Sequence, residues 1–171
     1  GLPRRVVLAM HGSEPKTKGG PSQRIRYTGE LLERRSISSQ CCFGEAPVSK
    51  PDCVHVFNSW PNSTALSALR HYRSNGAPVV YSPIMLDLSF LHEYCATGDC
   101  RSRAEVRDAL VRYGASLRAY SKFGSRPLET VPGHFSSIHD SCALAHHVIA
   151  LSERERSLLL SLGVSSEKVS V

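Results

Sequence analysis

The run Val6-Val7-Leu8-Ala9-Met10 carries no polar alternation, and a strand of that kind has to be covered on both faces. It leads into a polar loop, His11 to Lys18, then Gly19-Gly20-Pro21-Ser22, and then a helical pattern in which Ile25, Thr28 and Leu32 share one face. Strand, glycine loop and helix in that order open a β-α-β unit. Paired glycines permit close backbone approach or positive φ, and the N–H groups at the helix start after Ser22 form an anion site. The loop falls where an open α/β sheet binds ligands, beyond the carboxyl end of a strand. It matches neither the dinucleotide fingerprint nor a P-loop, and glycines that only turn the chain are the simpler alternative.

Further strands follow the same logic. Cys41-Cys42-Phe43 is a weak strand, Cys53 to Phe57 a buried one, and Val79 to Tyr81 another, stopped by Pro83. A helix over 63–74 brings Leu66, Leu69 and Tyr72 or Arg73 round at helical spacing and closes at Gly76. Asp87 stands alone among Ile84, Met85, Leu86, Leu88, Phe90 and Leu91, so it is either surface-facing or held by a specific donor. Val106, Leu110, Tyr113, Leu117 and Tyr120 predict a helix over 103–120, and a short helix over 138–146 leads to the strand His147 to Leu151. Ser152 and Glu155 form a capping box for a helix whose Leu158, Leu159 and Leu162 face inward and which Gly163 ends; Lys168 to Val171 is the final strand. Strands alternate with helices and no hairpin signal separates them. A doubly wound, Rossmann-like α/β domain follows, with a parallel sheet and helices on both faces.

The 171 residues suffice for one well-buried domain, with an insertion-like basic region at about 92–137. No apolar run approaches a membrane span and no leader-like segment is visible, so the expected location is the cytoplasm, with peripheral contact at the inner face of the membrane. Six cysteines in a chain of this size are expected to be reduced. His92, Cys95 and Cys100 fit no zinc spacing, no Asp-x-Asp occurs, and neither a metal nor a cofactor is expected. Of the net charge of +6, residues 101–126 carry +5. A charge so localised points to an anionic ligand or membrane surface, or to a solvated helix face, and not to nucleic acid.

Three stretches together resemble the N-terminal domain of sugar-nucleotide-dependent glycosyltransferases of the two-domain GT-B fold, especially glycosyltransferase family 4. They are the first strand with Gly19-Gly20 and its helix; Asp52 to Asn58, which is similar to the family's strand reading Asp, two hydrophobic residues, His; and His147 to Val171, with Ser152-Glu153-Arg154-Glu155, Leu162-Gly163-Val164 and Lys168-Val169-Ser170-Val171. The resemblance covers the chain outside 92–137. It implies an acceptor-binding half whose glycine loop faces the donor phosphates, with a nucleotide sugar as cosubstrate and a glycan, small-molecule or lipid acceptor. A missing C-terminal domain would supply most donor contacts. Where many members carry a histidine after the strand Val79 to Tyr81, this sequence has Ser82.

On that basis Gly19 and Gly20 are the donor-phosphate loop, and Asp87 and His11 the candidate catalytic groups. Asn58, Trp60, Ser82, Arg107 and Arg118 are the candidate acceptor-binding residues: an amide can bond sugar hydroxyls, an indole can stack on a ring, and the two arginines share a helical azimuth. Glu153 and Glu155 read as charges that complement the helix dipole. The alternative is a saccharide- or anion-binding module without catalysis. A dehydrogenase is disfavoured by the absent Gly-x-Gly-x-x-Gly turn.

Overall fold

The computed structural model describes residues 5–11, 20–44, 50–59, 62–84 and 137–171. The chain divides into two compact units, Gly1–Met85 with Ile138–Val171, and Leu86–Ser137; the sheet belongs to the first. The helix expected over 103–120 lies outside the described residues.

The elements in chain order are β1 (Arg5–Met10), α1 (Gly20–Arg34), β2 (Ser38–Phe43), β3 (Cys53–Phe57), α2 (Asn62–Ser74) and β4 (Val79–Ser82). After them come α3 (residues 137–144), β5 (His147–Ile149), α4 (Glu153–Ser161), a 3-10 turn (Ser166–Lys168) and β6 (Val169–Ser170). The six strands form one sheet in the order β2-β1-β3-β4-β5-β6, and every neighbouring pair is parallel. Thus β1, β3, β4 and β5 are neighbouring parallel strands, as the unalternating apolar runs predicted.

Strand alternation divides the core in two. Val7, Ala9, Val54, Val56, Val79, Tyr81 and Val148 point to the face covered by Leu69 and Tyr72 of α2, Ile138 and Cys142 of α3, and Leu159 of α4. Val6, Leu8, Met10 and Phe57 point the other way, onto Ile25 of α1 with Leu32 packed against them. α1 approaches the sheet closely at Gly29, where a Cβ would come within 3.4 Å of Leu8 and 3.3 Å of Ser39. A larger residue there would push the helix off β1.

The helix ends follow from local chemistry. Gly76, at φ +72°, ends α2, and Gly163, at φ +90°, ends α4. Ser152 caps α4, accepting from the Glu155 N–H at 3.2 Å. The Glu155 carboxylate accepts from the N–H of Leu151, the residue before the cap, and so ties the chain leaving β5 to the first turn of α4.

Candidate functional site

The strand order reverses between β2-β1 and β1-β3, so the loops leaving β1 and β3 diverge and open a crevice at their carboxyl ends. His11 leaves β1 there and Asn58 leaves β3. His11 is buried, at 8% exposure. Its Nε2 lies 2.8 Å from the Asn58 carbonyl oxygen and its Nδ1 lies 2.8 Å from Thr64 Oγ1 in the first turn of α2. A carbonyl can only accept, so Nε2 carries the proton and Nδ1 accepts from the threonine hydroxyl. Burial lowers the His11 pKa and the bond to Asn58 opposes this only in part, so the ring is held neutral in this tautomer.

Asn58 has φ +77°, in the left-handed region that asparagine tolerates better than most residues. Its N–H donates to the Ser82 carbonyl at 2.8 Å, and its own carbonyl accepts from His11 and, at 3.4 Å, from the Tyr81 hydroxyl. The turn after β3 is thereby tied to the ends of β1 and β4 at once.

Ser82 is buried at 1% exposure, and its hydroxyl lies 2.8 Å from His55 Nε2. His55 stacks on Phe57 with ring centroids 3.9 Å apart. Burial, reinforced by the nearby Arg24 guanidinium, pushes the His55 pKa down to about 3. Ser82, the last residue of β4, thus holds a neutral histidine of β3.

On the α2 face, Tyr81, Cys142 and Glu155 form a buried polar group. Burial first, then the neighbouring Cys142 and Glu155, raise the Tyr81 pKa well above its ordinary value, while Ser141 hydrogen-bonds the phenol and opposes this. Burial and Glu155 push the Cys142 thiol up to about 12, which leaves it protonated and unreactive. Glu155, expected as a charge that complements the helix dipole, lies in the first turn of α4 and is 7% exposed. Cys41, Cys42, Cys53 and Cys142 are free thiols.

A cavity of about 580 Å³ adjoins His11. Ala9, Met10 and His11 line it from β1, Gly44 from the end of β2, and Thr64, Ser67, His71 and Tyr72 from successive turns of α2. Its lining mixes apolar surface with hydroxyl and imidazole groups, and no carboxylate is among these residues. Such a wall suits an uncharged polar ligand better than a cation.

Of the residues singled out in the sequence, His11, Asn58 and Ser82 converge on the carboxyl ends of β1, β3 and β4. Gly20 opens α1, and a Cβ there would meet nothing within 4 Å. Gly19, Trp60, Asp87, Arg107 and Arg118 lie outside the described residues. Thr64 and His71 are not marked by any sequence signal, and Tyr72 is marked only as part of the apolar face of its helix. Thr64 sits in a first helical turn, where a hydroxyl ordinarily reads as a cap, and its link to His11 spans 53 residues of sequence. Among the described residues no group of three or more His, Cys, Asp or Glu side chains could hold a metal ion. None of their helices is long and apolar enough to cross a membrane.

No protein-family profile and no curated protein matches the sequence. Among solved structures, the chain is similar to the crystal structure of Anabaena Alr3699/HepE in complex with UDP, with a TM-score of 0.41 and 12% identity over 98% of this chain. The chain spans 43% of that protein's length.

Proposed function

We propose that this chain is the N-terminal, acceptor-binding half of a sugar-nucleotide-dependent glycosyltransferase of the GT-B type, transferring a sugar to an acceptor hydroxyl. The observation that carries the reading is the reversal of strand order at β1 and β3, with His11 and Asn58 locked together beside a cavity on that edge. The three stretches that resemble family 4 supply the chemistry. They include β1 with the start of α1, β3 with Asn58, and β5 through β6.

In this reading the acceptor occupies the cavity, with Thr64, Ser67 and His71 as hydrogen-bonding partners for its hydroxyls and Tyr72 as apolar wall. Ser82 supports the end of β4; Trp60, Arg107 and Arg118 are proposed on residue chemistry alone, as a ring-stacking indole and two anion-binding guanidiniums. Gly19 and Gly20 face the donor diphosphate, whose charge is favoured at the amino end of α1. Asp87 is proposed as the base on its residue chemistry alone. Both nitrogens of His11 are engaged, and its part is to orient Asn58 and Thr64. A second domain supplies the remaining donor contacts, because stabilising a departing diphosphate requires groups on both sides of the reacting bond.

The test is calorimetric titration of the purified chain with a panel of nucleotide sugars, followed by an assay for released nucleotide. Binding at about millimolar strength without release is expected, since a small contact surface must offset the lost translational and rotational freedom. Micromolar binding with turnover would show a complete enzyme and overturn the half-enzyme reading.

A further inference from the structure

We propose that the outer face of α1 is a docking stripe for an anionic lipid surface. Ile25 and Gly29 are the buried residues of this helix, and the opposite side is exposed. At 100° per residue, Tyr27, Leu31 and Arg34 follow one another along that side, with Arg35 just beyond the last turn. Tyr27 is 53% exposed and Leu31 58%, and they lie one turn apart; the other large exposed apolar side chains among the described residues, Leu151 and Val171, are elsewhere.

The charges are arranged around this apolar pair. Among the described residues Arg34 and Arg35 have no carboxylate partner. Glu30, on the edge of the stripe, is answered by Arg26 at 3.9 Å, and the same guanidinium lies 5.3 Å from the Tyr27 ring centroid. Glu33 acts on the Cys41 thiol of β2, raising its pKa behind the larger effect of burial, and so belongs to the flank facing the sheet edge. The exposed stripe is therefore a tyrosine and a leucine with two arginines at its carboxyl end that have no carboxylate partner among the described residues.

Two apolar side chains on a strip one residue wide offer far less area than a stable protein interface buries. A bilayer interface makes no such demand. Tyrosine settles at headgroup level, leucine enters the acyl boundary, and arginines extend to the lipid phosphates while their stems stay on apolar surface. Each arginine near an anionic leaflet contributes about a fivefold gain in partitioning, and salt screens that gain.

Co-sedimentation of the purified chain with phosphatidylglycerol/phosphatidylcholine vesicles, and with phosphatidylcholine alone, tests this. Binding only to the anionic vesicles, weakened by salt, is expected. Arg34→Gln with Arg35→Gln should lower it about 25-fold, and Tyr27→Ser with Leu31→Ser should abolish it while the melting transition is kept. Leu31→Trp should keep binding and show a blue shift of the new emission on adding vesicles. No binding, equal binding to neutral vesicles, or binding untouched by these substitutions would overturn the proposal. So would a concentration-dependent dimer that Tyr27→Ser with Leu31→Ser dissolves, since the stripe would then serve a second copy.

Discussion

The His11 imidazole donates to the Asn58 carbonyl across 2.8 Å and thereby ties the ends of two strands at the point where the sheet order reverses. Thr64 completes the link from the first turn of α2. Removing the ring leaves a buried carbonyl and a hydroxyl short of one partner each. His11→Ala should therefore lower unfolding free energy by about 1–3 kcal/mol, more than a solvated loop histidine would. The urea midpoint checks this; a change within about 0.5 kcal/mol would mean that the bridge contributes little.

Asn58 itself is held at φ +77°. A glycine adopts that conformation freely, alanine less so, and a β-branched residue least of all. Asn58→Gly should preserve stability best, with Asn58→Ala next and Asn58→Val lowest, the extremes separated by roughly 1–2 kcal/mol. An inverted order in thermal melts would show that the asparagine amide, and not its backbone, sets the turn.

His55 gives the protein an acid-sensitive core. Its folded pKa of about 3 lies below the ordinary value of 6.5. Between those two values the unfolded chain binds a proton that the folded chain refuses, so stability is full above the higher value and falls as the solution is acidified. The slope from this one group is about 1.4 kcal/mol per pH unit, and His11 adds in the same direction, its pKa also being lowered by burial. His55→Gln, which can still hydrogen-bond Ser82, should flatten the fall. Urea unfolding at several pH values reads it directly, and an unchanged slope would place the acid sensitivity elsewhere.

The start of α4 depends on Ser152 and Glu155 together. Ser152→Ala removes the acceptor for the Glu155 N–H and should cost about 1 kcal/mol. Glu155→Gln keeps an oxygen for the Leu151 N–H and should be milder than Glu155→Ala, which leaves that donor unmatched beside Tyr81. Equal losses for Gln and Ala, measured by denaturant titration, would mean that the charge and not the hydrogen bond matters.

The parallel sheet was legible in the sequence because its strands are short apolar runs separated by helical patterns, and the capping of α4 because Ser152 and Glu155 stand three apart. Gly76 and Gly163 marked helix ends for the same reason: each local signal points to a local conformation. The site was legible only in its anchors. His11, Asn58 and Ser82 each follow a strand, which predicts the carboxyl edge, yet nothing in single-strand patterns tells that His11 is closed between Asn58 and Thr64 or that Ser82 turns to His55. Those bonds join residues 27 to 53 positions apart and depend on strand order, which periodicity does not encode. Glu155 is legible as a capping and dipole-complementing charge in the first turn of α4, whereas its burial is not, because that depends on how α4 packs on the sheet.

The central claim, that the carboxyl edge at β1 and β3 receives a nucleotide sugar and its acceptor, is tested most directly by backbone amide NMR during titration with nucleotide-diphosphate sugars and with a glycan acceptor. The account predicts shifts at Gly20 and Asn58 with the donor, at Thr64 and Ser67 with the acceptor, and loss of the Asn58 and Thr64 responses in His11→Ala. Perturbations confined to the opposite edge of the sheet, around Pro78 and His146, or none at all up to saturating ligand, would contradict it.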